Sequence, residues 1–480
     1  MPTKLRKINY LPLSNPLIIG LITGLYPFLF YTSNNYFAVN STGHFLFFVG
    51  FFIGIPILVF TLFYLFSKKI IFLKKHKTQI LFILILFITA FFASYASTLL
   101  IKKKFLFSIL LVSTALSFKF SHTYKKMLLL ILIMSVLPLF KLGIKITDTF
   151  RADTVIATYK SAKQITFKTT PNVYMIQPDG YVSKQVMEDS LYNFKNSFYD
   201  WLESKEYKLY PSFRSNYPAS LPSNVSLFLM KQHLFFNMTS PDLEMPRARE
   251  IICGNNPVIK TFKNNGYKAY LIVQDDYFQQ NHCKQLYDYT NINIKDLPYF
   301  SSGGENRADV FNDFKAAFAD KTNRPRFFFI EKLLPHHVHF SGATKNRKER
   351  EREEYLTKIK EVNYWLKNIL NFIDKNDPNA LVIVLADHGG WVGMDSYNEM
   401  FQTENKAKIN SIFGNLAAIK WNGYLNDNQD AQLISNVNVF KVVFSVLSKD
   451  KSLLQTTEDD SSYNLLIDGY FSKKVNRVIN

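Results

Sequence analysis

This sequence predicts an N-terminal helical bundle embedded in a membrane, followed by an α/β domain. That domain is expected to have a largely parallel sheet sandwiched by helices. Three observations carry the prediction. Apolar residues are concentrated in the first third of the chain, in long runs broken by lysine clusters. Beyond about residue 170, short β-type runs alternate with longer helical patterns. Three of those runs stop on acidic or imidazole side chains, at "QPDG" (177–180), "LLPHHVHF" (333–340) and "LADHGG" (385–390).

The apolar runs come first. Five segments have membrane-span character: Pro16 to Tyr31, Gly43 to Phe66, Gln79 to Leu100, Phe105 to Phe120 and Met127 to Leu142. The second and third reach the roughly 20 apolar residues that a bilayer requires, while the fourth is short, and its full crossing stays open. Burying five nearly consecutive helices without a polar face inside a water-soluble core is improbable, because soluble helices need such a face. Lysine and arginine in the short loops set the orientation. Lys4, Arg6 and Lys7 precede the first span, Lys68, Lys69, Lys74, Lys75 and Lys77 follow the second, and Lys125 and Lys126 precede the fifth. Five spans put these groups on the cytoplasmic side of a cytoplasmic (inner) membrane and everything after residue 142 outside it. Lys102 to Lys104 oppose this, so they snorkel at the interface or the fourth segment is re-entrant. No small-residue cleavage pattern follows Tyr31, so the first span reads as retained.

The net charge of +19 includes these flanking lysines, and anionic lipid headgroups account for it more simply than nucleic acid does. There is no zinc-finger spacing and no glycine-rich phosphate loop, so no nucleic-acid partner is expected. The only two cysteines, Cys253 and Cys283, fall in the extracytoplasmic part, where either a bridge or two separate buried thiols fits.

The rest of the chain divides as follows. Residues 143–170 are polar and mixed, and read as a linker or collar before a domain at 171–480. "NVYMIQPDG" (172–180) is a strand ending in Asp179. "PVIKTFKNNGYKAYLIVQDD" (257–276) is a helix closed by Asn-Asn-Gly and then a strand. "PRFFFIEKLLPHHVHF" (325–340) is a strand running into a histidine-rich turn. Residues 353–390 give a helix with an apolar face of Leu356, Ile359, Val362, Leu366, Ile369 and Ile373, then a loop and the strand before Asp387. Parallel strands bring such ends to one edge of the sheet. Two carboxylates and an imidazole meeting there, Asp179, Asp387 and His388, form a natural set for Mn²⁺, Mg²⁺ or Zn²⁺.

In this order the motifs resemble the alkaline phosphatase superfamily, in its membrane-anchored sulfatase-like hydrolase and transferase branch. That branch includes lipoteichoic acid synthases and the phosphoglycerol and phosphoethanolamine transferases. "NVYMIQPDGY" resembles the opening strand whose acid binds the metal, and "SNYPASLPSNVSLFLM" (215–230) the segment carrying a Thr or Ser nucleophile. "LLPHHVHF" resembles the Pro-His segment and "VLADHGG" the Asp-His-Gly metal motif. "FGNLAAIKW" (413–421) and "NVFKVVFSVL" (438–447) resemble the returning strand and the closing helix. The resemblance implies one divalent ion, Zn or Mn ahead of Mg, on Asp179, Ser220, Asp387 and His388. It further implies Ser220 as nucleophile and His336 as the phosphate contact, with a phospholipid donor and an envelope glycan or lipid acceptor. Catalysis would then be a double displacement through the serine.

Several alternatives stay open at this stage. Ser223 and Ser226 neighbour Ser220, and relatives often carry Thr at that position. Sulfatases proper require a Cys or Ser in a Cys/Ser-x-Pro-x-Arg pattern for conversion to formylglycine, and neither cysteine nor Ser220 has it. Two-metal relatives need an additional acid and histidine where Glu331 and His336 stand, and no convincing second set is visible, so a single ion is expected. Of His337 and His339, at least one is expected to pack or lie at the surface. Tyr217 and Trp391 line a headgroup pocket or only pack, and "KNRKEREREEY" (345–355) is a solvated helix start or, less simply, a polyanion-binding patch. The rivals to a transferase are a hydrolase with water as acceptor and a non-catalytic envelope scaffold.

Overall fold

The computed structural model describes residues 13–160, 165–232, 238–239, 244–300, 308–340, 346–426, 428–467 and 473–479. The chain divides into two compact units, residues 1–147 and 148–480.

In the first unit, four helical runs are long and apolar enough to cross a membrane: Pro16–Ala38, Thr42–Lys69, Lys77–Thr98 and Lys103–Thr158. Five separate spans were expected. The difference lies in the last run, which takes in both the fourth and fifth expected segments as Lys103–Phe120 and Tyr124–Lys160, joined by a 3₁₀ turn at Ser121–Thr123. Residues 143–160 of the expected linker continue that helix. Asn15 caps the first run by accepting from the Leu17 amide, with Pro16 in the first turn where its missing N–H costs nothing. Large apolar side chains such as Leu58, Ile133, Val136 and Leu137 point outward. Outward apolar residues on already apolar helices are what hydrocarbon surroundings call for. Lys4, Arg6 and Lys7, used above for orientation, lie outside the described residues.

The second unit is built on a seven-stranded sheet. Its strands are β1 (Val173–Pro178), β2 (Lys208–Leu209), β3 (Lys268–Ile272), β4 (Tyr289–Thr290), β5 (Arg326–Lys332), β6 (Leu381–Leu385) and β7 (Ala417–Lys420). Their order is β2-β7-β6-β1-β5-β3-β4, and a separate hairpin pairs β8 (Ser462–Ile467) with β9 (Lys473–Ile479). From β6 to β4 the sheet is parallel, as the alternating pattern predicts. At β7 and β2 it is antiparallel, so the sheet is mixed. The cause is local. After β6 the chain stays at the edge where that strand ends, with the Gly389 amide donating to Ile412 O and the Trp391 amide to Ser411 O. The next strand must therefore start from that edge and run back.

Every residue of β1 and of β6 is buried, which is the mark of central parallel strands covered on both faces. Three helices matter for the site: α1 (Ser220–Leu229), α2 (Arg347–Asn376) and α3 (Val439–Ser448). Helix α2 buries Leu356, Ile359, Val362, Leu366, Ile369 and Ile373, the face that the sequence pattern marks. Helix α1 packs Phe228 against Phe329 of β5 and Phe440 of α3. Strand β1 lies between β6 and β5, so the carboxyl ends that carry Asp387, Asp179 and the histidine turn are neighbours.

Candidate active site

Asp179 is the first residue beyond β1. Its amide donates to Lys332 O and its carbonyl accepts from the His336 amide, which ties it to the end of β5. Gly180 follows with φ of +69°, and an added Cβ there would lie 3.0 Å from the His336 backbone, so a glycine is required for conformation and for space. Asp387 is the second residue beyond β6. Its Oδ1 accepts the amides of Gly180 (3.1 Å) and His388 (3.0 Å), while its buried Oδ2 has no hydrogen-bond partner. His388 hydrogen-bonds Gly389 O through Nδ1 at 2.8 Å. A carbonyl only accepts, so in the neutral ring Nδ1 carries the proton and Nε2 presents its lone pair. The glycine pair lets the chain through: a Cβ on Gly389 would run into the Ser411 carbonyl, and one on Gly390 into the Tyr355 ring.

Ser220 opens α1. Its Oγ lies 3.3 Å from His388 Nε2 and 3.5 Å from Asp179 Oδ1. A reciprocal amide pair holds the helix in place: Gln177 Nε2 donates to Asn224 Oδ1 (2.9 Å) and Asn224 Nδ2 to Gln177 Oε1 (3.1 Å). Asn224 also donates to the Ser220 carbonyl at 3.0 Å. Both side chains are fully buried. Trp391 adds a further tie, its indole N–H donating to Pro218 O at 3.1 Å. The neighbouring serines face elsewhere: Ser223 Oγ donates to Tyr217 O and Ser226 Oγ to Ser223 O, both at 2.8 Å.

The donor set can be tested against a cation by its spacing. His388 Nε2 is 3.4 Å from Asp179 Oδ1 and 3.5 Å from Asp387 Oδ2. With the serine distances, these separations exceed ordinary hydrogen bonds. They match the roughly 3.3–3.4 Å between donors that each sit about 2.0–2.1 Å from one tetrahedral ion. The unpartnered Asp387 oxygen and two buried carboxylates side by side point the same way. Burial, and then the negative charge of Asp387, push the Asp179 carboxyl up to about 8. A cation reverses that preference. The residues fit a divalent ion.

Around this centre is a cavity of about 590 Å³, lined among others by Ser220, Asp275, Glu331, His336, Lys358 and Trp391. His336 has φ of +64°, and its Nε2 is 3.5 Å from Asp179 Oδ2. His337 stacks on Trp391 with ring centroids 3.6 Å apart, and His339 is exposed. Burial lowers the pKa of all three histidines, most strongly that of His337. Burial also holds the Glu331 carboxyl well above the usual range, reinforced by Asp275 and Asp179. Trp391 therefore lines the cavity. Tyr217 is buried, with its hydroxyl 2.6 Å from Gln232 Oε1. Cys253 and Cys283 are joined by a disulfide, Cα atoms 6.7 Å apart. At the start of α2, Arg350 pairs with Glu354 at 3.8 Å on the exposed face, whereas Arg347 pairs with a buried Glu351 at 3.1 Å, so the segment is solvated on one face only.

Sequence reasoning missed the Gln177–Asn224 pair, Asp275, Lys358, and Asn436, whose side chain donates to the Asp387 carbonyl at 2.9 Å. Asp275 had a signal, since it follows β3 at the same edge of the sheet. The others had none, because each depends on which helix face meets the strand ends.

The family model described as Sulfatase matches residues 176–448. No curated protein sequence matches the chain. Among solved structures, the chain is similar to the C-terminal periplasmic domain of EcEptC from Escherichia coli, with 11% identity and a TM-score of 0.44 over 66% of this chain and 96% of that one. It is similar to the integral membrane protein lipooligosaccharide phosphoethanolamine transferase A (EptA) from Neisseria meningitidis, with 11% identity and a TM-score of 0.38 over 90% and 95% of the two chains. It is also similar to the putative sulfatase yidJ from Bacteroides fragilis, with 13% identity and a TM-score of 0.42 over 64% and 84%.

Proposed function

This chain belongs to the sulfatase family, within the alkaline phosphatase superfamily, and on that premise we propose that it is a membrane-anchored phosphotransferase. It moves a phosphoryl-linked headgroup from a phospholipid to an envelope glycan or lipid. The observation that carries this reading is Ser220 Oγ at 3.3 Å from His388 Nε2 and 3.5 Å from Asp179 Oδ1, at the floor of a cavity. Asp179, Asp387, His388 and Ser220 would hold one divalent ion, zinc or manganese ahead of magnesium. When bound, that ion supplies the positive charge that favours an ionised hydroxyl and offsets charge on phosphoryl oxygens.

Ser220 Oγ attacks the donor phosphorus. A bond from Oγ to phosphorus forms, the bond from phosphorus to the diacylglycerol oxygen breaks, and that oxygen leaves with a proton. An acceptor hydroxyl then attacks the same phosphorus, the Oγ–phosphorus bond breaks, and Ser220 Oγ leaves with the acceptor's proton. His336 faces the phosphoryl group during both displacements. Sulfate-ester cleavage is disfavoured because, although Pro222 stands at the proline offset from Ser220, Asn224 occupies the position where formylglycine formation needs an arginine.

For topology, we read the run Lys103–Thr158 as two passes separated at Ser121–Thr123. A single helix of its 56 residues would be about 84 Å long, against a hydrocarbon core of about 30 Å. Five passes place residues 171–480 outside the cytoplasm, and a periplasmic-type reporter fused after residue 480 should be active while a cytoplasmic one is silent.

The chemical test uses a phospholipid labelled in its headgroup. Mass spectrometry of the quenched enzyme should find the headgroup phosphate on the peptide carrying Ser220, followed by label on an envelope fraction. Label released only as free headgroup would make the enzyme a hydrolase. No adduct and no turnover with any phospholipid would leave the scaffold reading.

A further inference from the structure

Helix α1 begins without a local stop. Ala219 stands at its N-cap with extended backbone (φ −141°, ψ 161°) and offers no side-chain oxygen to the first amides. Alanine is among the weakest residues at that position. Pro222 fits a first turn in more than one register, and Ser220, Ser223 and Ser226 stand close together. Where the helix starts decides which hydroxyl reaches Asp179 and His388, so contacts from outside must fix it. Asn216 is anchored to Val437, Ser461 and Tyr463, and the Gln177–Asn224 pair anchors the second turn. Between these anchors the Pro218 carbonyl takes the Trp391 indole N–H at 3.1 Å, directly from the loop that carries Asp387 and His388.

Trp391 is itself held in an unusual place. It follows the glycine pair with φ of +61°, a region that costs a bulky L residue roughly 1–2 kcal/mol. Its amide donates to Ser411 O at 3.2 Å, and the Gly390 carbonyl before it accepts from the Val338 amide at 3.0 Å, so the backbone is pinned from two sides. The buried indole stacks on His337 at 3.6 Å and 19°, and on His388 at 5.3 Å and 21°. Tyr397 meets it edge-on at 6.0 Å. A glycine would adopt the same backbone angle without strain. A large ring kept there, with its one polar atom committed to the segment that carries the serine, does more than fill space.

We propose that Trp391 is a positioning residue: its indole N–H sets the start of α1 against the Asp387–His388 loop and so places the Ser220 hydroxyl, not that of Ser223, at the site. This deepens the proposed function and rests on its assignment of Ser220 as the nucleophile. The path is short. Pro218 stands two residues before Ser220 and His388 three before Trp391, so one hydrogen bond closes a loop of contacts through Ser220 Oγ and His388 Nε2. Without the N–H, the buried Pro218 carbonyl is left unpaired and the start of α1 is free to shift against the loop. A misplacement of about an ångström at a reacting atom costs roughly a hundredfold in rate. The stack on His337 and His388 is a separate task of the same ring, and a phenylalanine performs it.

The test uses the full chain in detergent, loaded with Co²⁺. Ser220→Ala removes one oxygen from around the ion and so defines the visible absorption spectrum of a site without it. Trp391→Phe should bind about one cobalt per chain, as wild type does, with its spectrum moved toward that of Ser220→Ala. With a headgroup-labelled phospholipid, its kcat should fall about thirty- to a hundredfold while KM changes by less than about threefold. Trp391→Phe with the wild-type spectrum and kcat overturns the proposal. So does a fall in kcat that only tracks lost cobalt or a lowered unfolding midpoint. Identical spectra for wild type and Ser220→Ala overturn it as well, because Ser220 would then not be a ligand for Trp391 to place. If wild type turns over no phospholipid while Trp391→Phe still moves the cobalt spectrum, the phosphotransferase reading falls and the positioning role stands.

Discussion

Stripped of divalent ions, the protein should become less stable as the pH rises from mildly acidic to neutral, and Asp179 is the cause. Its carboxyl is pushed up to about 8, by burial first and by the Asp387 charge second. In the unfolded chain an aspartate titrates near pH 4. Between those values the folded state holds a proton that the unfolded state has released. This contribution to stability is therefore fully present below about pH 4 and is lost as the pH rises through about 8. The slope is about 1.4 kcal/mol per pH unit, so moving from pH 5 to pH 7 removes roughly 3 kcal/mol. Glu331, held high by burial and by Asp275, acts with the same sign. At an unfolding entropy of roughly 2 cal/mol/K per residue, a unit of about 330 residues should lose about 4 °C in its midpoint. Saturating Zn²⁺ gives the carboxylates a counter-charge, so the midpoint should rise and become nearly independent of pH above about 6. Asp387→Asn removes the neighbouring charge, and the metal-free variant should show a shallower fall. Differential scanning calorimetry of the full chain in detergent, with and without zinc, measures all three curves. A metal-free midpoint that is flat or rises between pH 5 and pH 7 would refute the reasoning.

Separating the ligands from the nucleophile gives a second expectation. Asp387→Ala and His388→Ala should each lose the ion and nearly all turnover. Ser220→Ala should lose turnover by about a thousandfold or more while keeping most of the metal, and His336→Ala should keep the ion and lose less activity. An active Ser220→Ala beside an inactive Ser223→Ala would move the nucleophile. Asn224→Ala leaves the buried Gln177 amide unpaired, which should cost about 1–3 kcal/mol and lower kcat more than it raises KM; unchanged kcat in a folded variant counts against the clamp. Replacing both Cys253 and Cys283 by serine opens a loop with a sequence separation of 30 and should destabilise the second unit by roughly 3–4 kcal/mol, read by urea denaturation. Recovery of both thiols alkylated from native, non-reduced protein would remove the basis for that figure.

How much was legible in advance depended on the range of each signal. β1, β5 and β6 were readable because each is a short apolar run ending in polar residues, and their adjacency follows from a parallel sheet. The apolar face of α2 was readable for the same reason, since its spacing is a property of the helix alone. The choice among Ser220, Ser223 and Ser226 was not, because it turns on where α1 begins. Pro222 suits a first turn, so the segment fits more than one register. In the structure Ser220 opens the helix, whereas Ser223 and Ser226 spend their hydroxyls on the carbonyls of Tyr217 and Ser223. Hydropathy likewise sees two apolar segments after Lys103 but not the turn that joins them into one helical run. The Gln177–Asn224 pair could not be read at all, since neither residue is unusual until the helix and the strand are brought together.

The Asp-His-Gly-Gly stretch after β6 differs from an ordinary turn in which side-chain atoms the backbone occupies. Asp387 spends Oδ1 on two amides and keeps Oδ2 free; His388 spends Nδ1 on a carbonyl and turns Nε2 toward Ser220 Oγ. A turn aspartate would use its carboxylate on the turn, and a packing histidine would bury its ring against apolar neighbours. Here each side chain is fixed at one atom, so the other is aimed without the entropy cost of orienting it when a ligand arrives. The same division of labour recurs at His336 and His337, each held through Nδ1 by the next residue's carbonyl. That recurrence, on a different loop at the same sheet edge, leaves His336 Nε2 3.5 Å from Asp179 Oδ2, so both loops aim side chains at one site.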